Sequence, residues 1–377
     1  MRLLLFFTNN VSLNDWAESG IFDREVQLYQ KMTQKGIEVT FLTYGDKKDK
    51  EFENILNGIK IKPLYENFYR PKNTIIRSIL NLLLPYFFRK TIKKADLLKT
   101  NQVWGGFVAV LAKKMFKKPL LVRSGWEPTL ERKNFDINIF RSFFIKLNSY
   151  FVYKNADQII VTSNRIVEHI ENKFKISKSV INKKENYIDI NSFVPKTKTT
   201  KFFNNRVLAV SRLTKQKNLE ILIDALSNTQ YALDVVGDGE LKESLKKRAK
   251  NLNVEVNFMG IIPNNKLAGL YPRYPVYVIC SKVEGNPKSL LEAMSCACGV
   301  VGTNVLGIND VISSKNNGLI CDSNSKSLKD AIEFLMKNKE TREKFGNLAR
   351  EKIINENSLE NYLDTEINLY RKMVAIN

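Results

Sequence analysis

Short apolar runs alternate with stretches of helical periodicity along this chain, and this alternation limits its fold more than any other feature. Residues 3–7, 207–211 and 276–280 each have the length and composition of a buried β-strand. Residues 219–226 follow the second run and carry leucine and isoleucine at helical spacing. Because neighbouring parallel strands need a crossover helix between them, the pattern predicts βαβ units and an α/β fold.

The length of the chain predicts two domains rather than one. Its 377 residues exceed what a single hydrophobic core usually supports, and its hydrophobic content of 44% is ordinary for a globular protein. A polar run at residues 196–205 separates the two halves. We therefore expect an N-terminal domain of residues 1–198 and a C-terminal domain of residues 199–356.

The most informative motif is residues 284–292, which read Glu-Gly-Asn-Pro-Lys-Ser-Leu-Leu-Glu. Asn286 is a favoured N-cap and Pro287 is favoured in the first turn, so a helix is predicted to begin there. Glu284 would then precede the helix and Glu292 would lie inside it. The backbone amides of Lys288, Ser289 and Leu290, which follow Pro287, would lie in the open first turn, where the helix dipole favours an anion.

Two carboxylates around open amides suit a ligand that carries both phosphate and hydroxyl groups, and a nucleotide sugar is such a ligand. The motif follows the strand at 276–280, and ligands of open α/β sheets bind at the carboxyl ends of strands. The alternative is a surface carboxylate with an ordinary capping partner.

A second loop compatible with phosphate binding follows the strand at 207–211. It contains Arg212 and Lys217, whose guanidinium and ammonium groups can together neutralise a diphosphate. Loops of basic proteins are often basic, so the alternative for this loop is a solvated surface. We expect the two loops to contribute to one site.

Several short motifs between residues 207 and 321 together resemble the C-terminal half of a family 4 retaining glycosyltransferase. They occur in the order in which that family has them. They are Ser211-Arg212-Leu213 through Lys217, Val235 to Gly239, Phe258-Met259-Gly260, Ser281 through Met294, Gly307-Ile308 and Asn317-Gly318-Leu319. The N-terminal half resembles the family less closely.

The resemblance implies the GT-B fold, which has two Rossmann-like domains whose parallel sheets face each other across a cleft. It also implies that the last helix, residues 357–377, packs back on the first domain. The implied activity is hexosyl transfer from a UDP- or GDP-linked sugar, with retention of anomeric configuration and without a metal or other cofactor. The implied partners are that nucleotide sugar and a glycan or lipid-linked glycan acceptor.

The resemblance also assigns roles to particular residues. Glu284, Arg212 and Lys217 would act in catalysis, and Gly20 and the turn at Gly260 and Ile262 would join the 286–292 segment in donor binding. That segment supplies Asn286, Pro287, Lys288, Ser289, Leu290 and Glu292.

One departure from the family concerns the acceptor side. Many relatives have a His-Gly pair after a strand of the N-terminal domain, and here Ser124 stands in place of that histidine. We expect the acceptor side to be formed by Arg123, Ser124, Trp126 and Glu127. The chain has a single histidine, His169, which we expect on a helix surface rather than in catalysis.

The charge of the chain, +21, favours an anionic partner. Residues 62–99 contribute nine basic and two acidic residues, and within them lies an apolar run at 79–88. This run is too short to span a bilayer, so it is predicted either to lie on an anionic membrane surface or to form a core helix with a basic rim. A second apolar run, at 137–151, is predicted to pack in the core.

The remaining features favour a cytoplasmic protein. The apolar N-terminus is short and runs into polar residues 8–10, which is not typical of a signal peptide. Four cysteines in apolar settings are expected to be reduced core residues. We therefore expect a peripheral enzyme of the inner membrane face that builds surface polysaccharide or lipopolysaccharide. The alternatives are a nucleotide-sugar epimerase of the same fold and a non-enzymatic basic protein that binds lipid or nucleic acid; we expect no nucleic-acid partner.

Overall fold

The computed structural model describes residues 1–67, 69–130, 139–195, 197 and 201–376. These residues form two compact units. Unit 1 consists of Met1–Glu185 and Leu363–Asn377, and unit 2 of Asn186–Tyr362. The division thus falls before residue 186, whereas the sequence placed the domain boundary after residue 198. The difference arises because Asn186 donates to Asn286 and accepts from Asn357, both of which are in unit 2.

Unit 1 contains a parallel sheet of seven strands in the order β3-β2-β1-β4-β5-β6-β7. The strands are β1 Arg2–Phe6, β2 Glu38–Thr43, β3 Ile59–Pro63, β4 Leu97–Thr100, β5 Leu120–Ser124, β6 Gln158–Val161 and β7 Ile181–Lys183. The helices of this unit are α1 Leu13–Glu18, α2 Phe22–Gln34, α3 Lys47–Glu51, α4 Thr74–Leu82, α5 Leu84–Phe87, α6 Arg89–Lys94, α7 Gly106–Phe116, α8 Ile139–Asn155 and α9 Asn164–Phe174.

Unit 2 contains a parallel sheet of six strands in the order β10-β9-β8-β11-β12-β13. The strands are β8 Arg206–Val210, β9 Ala232–Val236, β10 Val256–Gly260, β11 Val276–Ile279, β12 Gly299–Thr303 and β13 Leu319–Cys321. The helices that follow are α10 Leu219–Leu226, α11 Lys242–Asn251, α12 Asn264–Leu267, α13 Lys288–Ser295, α14 Ser325–Lys337, α15 Lys339–Glu356 and α16 Leu359–Ile376. The three strands and the helix predicted from the apolar runs are therefore confirmed.

The two faces of the unit 2 sheet are both buried, which explains why its strands are apolar throughout. Successive residues of a strand point to opposite faces. Val276 and Val278 accordingly belong to one hydrophobic cluster, and Tyr277 and Ile279 belong to another.

The C-terminal part of α16 belongs to unit 1 and is held there by a buried ion pair. Lys99 of β4 pairs with Glu366 of α16, and both side chains are fully buried. Burial raises the carboxyl pKa, but Lys99 outweighs it and holds the pKa of Glu366 below its usual range. Tyr370 also donates a hydrogen bond to Glu366.

The apolar run at 79–88 falls in α4 and α5, and its outward residues include Ile79, which is 53% exposed. The core prediction for the run at 137–151 is wrong for Phe144 and Leu147 of α8, which are 63% and 51% exposed, whereas Phe151 is partly buried against Phe107. Ile137 and the side chain of Phe140, also part of that prediction, lie outside the described residues. Among the described helices there is no candidate for a membrane-spanning segment.

Candidate functional site

The candidate site lies where the strand order of unit 2 reverses direction. The sheet grows from β8 toward β10 on one side and from β11 toward β13 on the other, and β8 and β11 are neighbours. In open parallel sheets this switch point is where ligands bind, beyond the carboxyl ends of the strands. The loops after β8 and β11 carry the two sequence motifs.

An ion pair joins these two loops directly. Lys217 Nζ lies 2.5 Å from Glu284 Oε1, and the side chains are 16% and 9% exposed. Ser281 Oγ donates to the same carboxylate oxygen at 2.6 Å. The sequence-predicted residues Lys217 and Glu284 are thus brought together, while Glu284 Oε2 retains the capacity to accept from a ligand hydroxyl.

Backbone contacts fix the loop that carries Glu284. Lys282 N donates to Gln216 O at 2.8 Å, and Gln216 Nε2 donates to Val283 O at 3.0 Å. Gly307 has a φ of +84°, and a Cβ there would lie 2.3 Å from Glu284 O. Glycine is therefore required at 307, because any side chain would displace the Glu284 backbone.

The helix after this loop begins one residue later than predicted. Pro287 is the N-cap of α13, and no side chain caps the helix. The Asn286 side chain, predicted to be the cap, instead accepts from the Asn186 amide at 2.9 Å. The Leu290 amide, predicted to be open, donates to Pro287 O at 3.1 Å. An uncapped helix N-terminus still faces the loop with its positive end, which favours an anion.

Two further predicted residues are engaged at the start of α13. The ammonium group of Lys288 lies 5.0 Å from the centroid of the Tyr187 ring. Ser289 Oγ accepts from Tyr277 OH at 2.9 Å. Both contacts fix side chains and leave the helix N-terminus without a capping side chain.

Glu292 is buried beneath the site, with only 1% of its surface exposed. Asn264 Nδ2 donates to Oε1 and Tyr271 OH donates to Oε2, both at 2.8 Å. Burial raises the pKa of Tyr271, and the neighbouring Glu292 carboxylate adds to this shift, so the phenol remains a donor. These two hydrogen bonds fix the carboxylate beneath the site.

Arg212 is exposed on the loop after β8. Its neighbour Ser211 has a buried hydroxyl without a hydrogen-bond partner among the described residues. A buried orphan hydroxyl costs about 1–3 kcal/mol, so Ser211 Oγ offers an unused donor to a polar group at this site. A small cavity lies beside this hydroxyl, the Lys217–Glu284 ion pair and the start of α13. The residues that line it include Ser211, Lys217, Ser281, Glu284 and Ser289.

The turn at the end of β10 closes this edge of the sheet. Gly260 has a φ of +70° and accepts from Gly237 N at 2.7 Å. A Cβ added at Gly260 would meet nothing within 4 Å, so the space above this turn is open. Ile262 follows it and packs partly buried against the unit 2 core.

The predicted residues of unit 1 have different surroundings. Gly20 lies in the turn between α1 and α2 with a φ of +72°, which explains glycine there. Of the acceptor-side residues, Trp126 is 45% exposed, whereas Arg123, Ser124 and Glu127 are buried.

Glu127 belongs to a buried hydrogen-bond network that the sequence did not reveal. Its carboxylate accepts from Tyr153 OH and from Thr129 Oγ1, and Tyr153 OH also contacts Ser124 Oγ at 2.9 Å. Burial raises the pKa of the Glu127 carboxyl. His169 joins this network through Thr129 Oγ1 at 2.7 Å, so its ring is half-buried rather than on the helix surface as predicted.

Several residues of the unit 2 site were not among the predicted site residues: Ser211, Ser281, Asn264, Tyr271 and Asn186. Each is positioned by tertiary contacts with another motif, and a local pattern does not show such contacts. A serine at the carboxyl end of a predicted strand, as at Ser211 and Ser281, is the one signal that was available. Among the described residues, His, Cys, Asp and Glu side chains form no group of three or more that could hold a metal ion.

Two family models match most of the chain. The model for Glycosyltransferase Family 4 matches residues 26–191, and the model for Glycosyl transferases group 1 matches residues 195–352. The chain is a family 4 glycosyltransferase. The predicted family is therefore confirmed, and the protein is a transferase rather than an epimerase or a non-enzymatic binding protein.

Curated relatives agree with this assignment. An uncharacterized glycosyltransferase of Haemophilus influenzae is 23% identical over 348 residues, covering 90% of this chain and 92% of that protein. A Campylobacter jejuni protein named N-acetylgalactosamine-N,N'-diacetylbacillosaminyl-diphospho-undecaprenol 4-alpha-N-acetylgalactosaminyltransferase is 26% identical over 249 residues, covering 65% of this chain and 68% of that protein.

Solved structures show the same fold over the whole chain. Sucrose-phosphate synthase from Thermosynechococcus elongatus is 19% identical with a TM-score of 0.82, and each chain is covered completely. HepE from Anabaena, solved with UDP and glucose, is 16% identical with a TM-score of 0.78, covering 99% of this chain and 100% of that one. The fold is therefore GT-B, as the sequence predicted.

Proposed function

We propose that this glycosyltransferase moves a sugar from a UDP- or GDP-linked donor to a glycan or lipid-linked glycan acceptor, with retention of anomeric configuration. The observation that carries the proposal is the Lys217–Glu284 pair at the sheet switch point, beside an uncapped helix N-terminus. The Campylobacter relative is named for an acceptor on diphospho-undecaprenol, and HepE was solved with UDP-glucose. The name of the Campylobacter relative supports a lipid-linked acceptor, and the HepE complex supports a nucleotide-sugar donor.

In this proposal the donor diphosphate binds between the loop after β8 and the start of α13. The Arg212 guanidinium is exposed and can approach the phosphates from solvent. Lys217 and the positive end of α13 add fixed charge, and Ser211 Oγ gains its missing partner. Since negative charge develops on the departing nucleoside diphosphate, these preorganised groups stabilise the transition state more than the ground state.

The two glutamates then recognise hydroxyl groups of the donor. Glu284 is held by Lys217 and Ser281 through Oε1, which leaves Oε2 to orient the transferred sugar. Glu292 is held by Asn264 and Tyr271 and is assigned to the ribose hydroxyls of the donor. The backbone of the turn from Gly260 to Ile262 is assigned to the base.

The acceptor residues are assigned to unit 1. Exposed Trp126 offers an aromatic face to an acceptor, while Arg123, Ser124 and Glu127 position the loop that carries it. Cationic side chains and the helix dipole neutralise the diphosphate in this proposal, so it requires no metal cofactor. The setting that goes with such an acceptor is the cytoplasmic face of a membrane, with the enzyme as a peripheral protein of surface polysaccharide or lipopolysaccharide synthesis.

The proposal is tested by assaying donor hydrolysis and transfer for Arg212→Ala and Glu292→Ala. Loss of one preorganised contact typically lowers the rate by about 10²–10³-fold. Arg248→Ala is the matched control, because Arg248 is an exposed arginine of unit 2 that pairs with Asp224. Near-normal turnover in both site variants would reject the site, and reduced turnover in the control would show that charge alone matters.

A further inference from the structure

Two helical stretches of unit 1 expose apolar side chains in continuous stripes. Along α4 and α5 the stripe consists of Ile76, Ile79, Leu83 and Tyr86, spaced three and four residues apart. Positions with this spacing lie on one face of a helix. We call this stripe and the corresponding one on α8 the apolar surface.

On α8 the stripe consists of Phe143, Phe144, Leu147 and Tyr150. Phe143 and Phe144 are 62% and 63% exposed. The inward side of α8 buries Ile145 and Val152. Apolar residues therefore occupy both the inward and the outward side of α8, whereas an ordinary surface helix has a polar outer face.

Helix α7 joins the two stripes, because α5 packs against α7 and α7 packs against α8. Phe107 of α7 contacts Phe151 of α8 with ring centroids 4.8 Å apart. Lys114 of α7 lies over the same Phe151 ring at 5.0 Å. The two stripes thus belong to helices of one connected layer, with a cation of α7 beside them.

The segments that form the apolar surface carry charges of one sign, and the nearby Asp157 pairs with Lys113 of α7. Residues 97–126 and 137–156 contain no aspartate or glutamate, and residues 67–95 also contain none. Exposed cations of these segments lie on α6, α7 and α8. They include Arg89, Lys90, Lys93, Lys94, Lys114 and Lys146.

We infer that the apolar surface of α4, α5 and α8 docks on an anionic lipid bilayer. Phenylalanine and leucine side chains insert among the acyl chains near the headgroups, while the surrounding lysines contact lipid phosphates. Nucleic acid would satisfy the lysines but would leave the apolar stripes in water. A second copy of the chain would bring two strongly basic surfaces together.

This inference extends the proposed function, since a lipid-linked acceptor presents its sugar at a bilayer. Binding to vesicles does not depend on the sugar chemistry, however, and only its use in reaching the acceptor rests on the proposed function. Binding of UDP or GDP without binding to vesicles would refute the docking surface alone. A protein that binds vesicles but no nucleotide would refute the donor site alone.

The test is flotation of the full chain with phosphatidylcholine vesicles that contain either no phosphatidylglycerol or about a third of it. We expect binding to the anionic vesicles, weakened by salt. Phe143→Asp with Leu147→Asp should lower vesicle affinity by about tenfold or more, since each side chain loses its apolar burial. Lys90→Glu with Lys93→Glu should lower it by about fivefold per lysine, from the ~1 kcal/mol that each contributes near the membrane.

The controls place the same changes on unit 2. Phe334→Asp with Ile354→Asp replaces two exposed apolar residues, and Lys326→Glu with Lys344→Glu reverses two exposed lysines. Circular dichroism melting verifies that each variant is folded. Equal vesicle binding by the wild type and both unit 1 variants would overturn the inference. The inference would also be overturned if the wild type did not bind vesicles but formed a dimer or a nucleic-acid complex that the unit 1 variants abolish.

Discussion

At the scale of single residues, the candidate site depends on a carboxylate held from two sides. Glu284 accepts from Lys217 and Ser281 through the same oxygen, and its backbone is fixed by the close approach of Gly307. A side chain restrained in this way is preorganised, because it does not have to move when a ligand hydroxyl arrives.

Glu284→Gln tests the charge of this residue with little change of shape. We expect kcat for transfer to fall by about 10²-fold, because the neutral amide binds both Lys217 and a sugar hydroxyl less strongly. Steady-state kinetics with varied donor measure the effect. Ser313→Ala, on a solvent-exposed loop of the same unit, serves as control. A kcat within twofold of the wild type would remove Glu284 from the catalytic set.

We expect His169 to make the stability of the protein depend on pH in the weakly acidic range. Burial lowers the pKa of His169 to about 4 from 6.5, and Lys173 and Arg165 act in the same direction. Between these values the unfolded chain binds a proton that the folded chain does not, so the free energy of unfolding falls as pH falls.

We therefore expect His169→Gln to reduce the loss of stability between pH 7 and pH 5. The ring is half-exposed, so solvent screening limits the difference to about 1 kcal/mol. Urea denaturation of both proteins at the two pH values measures it. An identical pH dependence in the variant would show that His169 titrates normally in the folded state.

At the scale of helices and strands, the sequence predicted the type and order of the elements better than it predicted which of their side chains are exposed. Strands β8 and β11 were predicted because a short, wholly apolar run is typical of a buried strand. Helix α10 was predicted because its apolar residues recur at helical spacing. The start of α13 was misplaced because the Asn286 side chain bonds to Asn186, which is far away in sequence. Phe144 of α8 was assigned to the core because an apolar pattern does not show which side another element covers.

The docking of α16 on unit 1 can be tested through the buried Lys99–Glu366 pair. Lys99→Met leaves the Glu366 carboxylate buried without its partner, and we expect a loss of about 3–5 kcal/mol of stability. The double variant Lys99→Met/Glu366→Gln removes both charges and keeps an acceptor for Tyr370, so most of the loss should be restored.

Chemical denaturation of the single and double variants measures this coupling. Lys35→Met is the control, because Lys35 pairs with Asp364 of the same helix at an exposed site. An exposed pair is worth under about 1 kcal/mol. If the double variant were less stable than Lys99→Met, the buried pair would not be the contact that holds this part of α16.

At the scale of the whole molecule, the sequence predicted two α/β domains of the GT-B type, and the fold and family are confirmed. The loops after β8 and β11 were predicted to share a site, and parallel topology explains why they do: adjacent strands end at the same edge. The hydrogen bonds that hold Glu292 and the outward orientation of the apolar stripes depend on packing of distant segments, so local sequence did not reveal them.

The central claim is that unit 2 grips a diphosphate at its switch point, and isothermal titration with UDP and with GDP tests it most directly. We expect one of the two to bind with a Kd between about 1 μM and 1 mM, the usual range for enzyme substrates. Arg212→Ala should weaken that binding by about tenfold or more, whereas Arg248→Ala should not. Absence of heat from both nucleotides at millimolar concentration, or equal affinity in Arg212→Ala and wild type, would contradict the account.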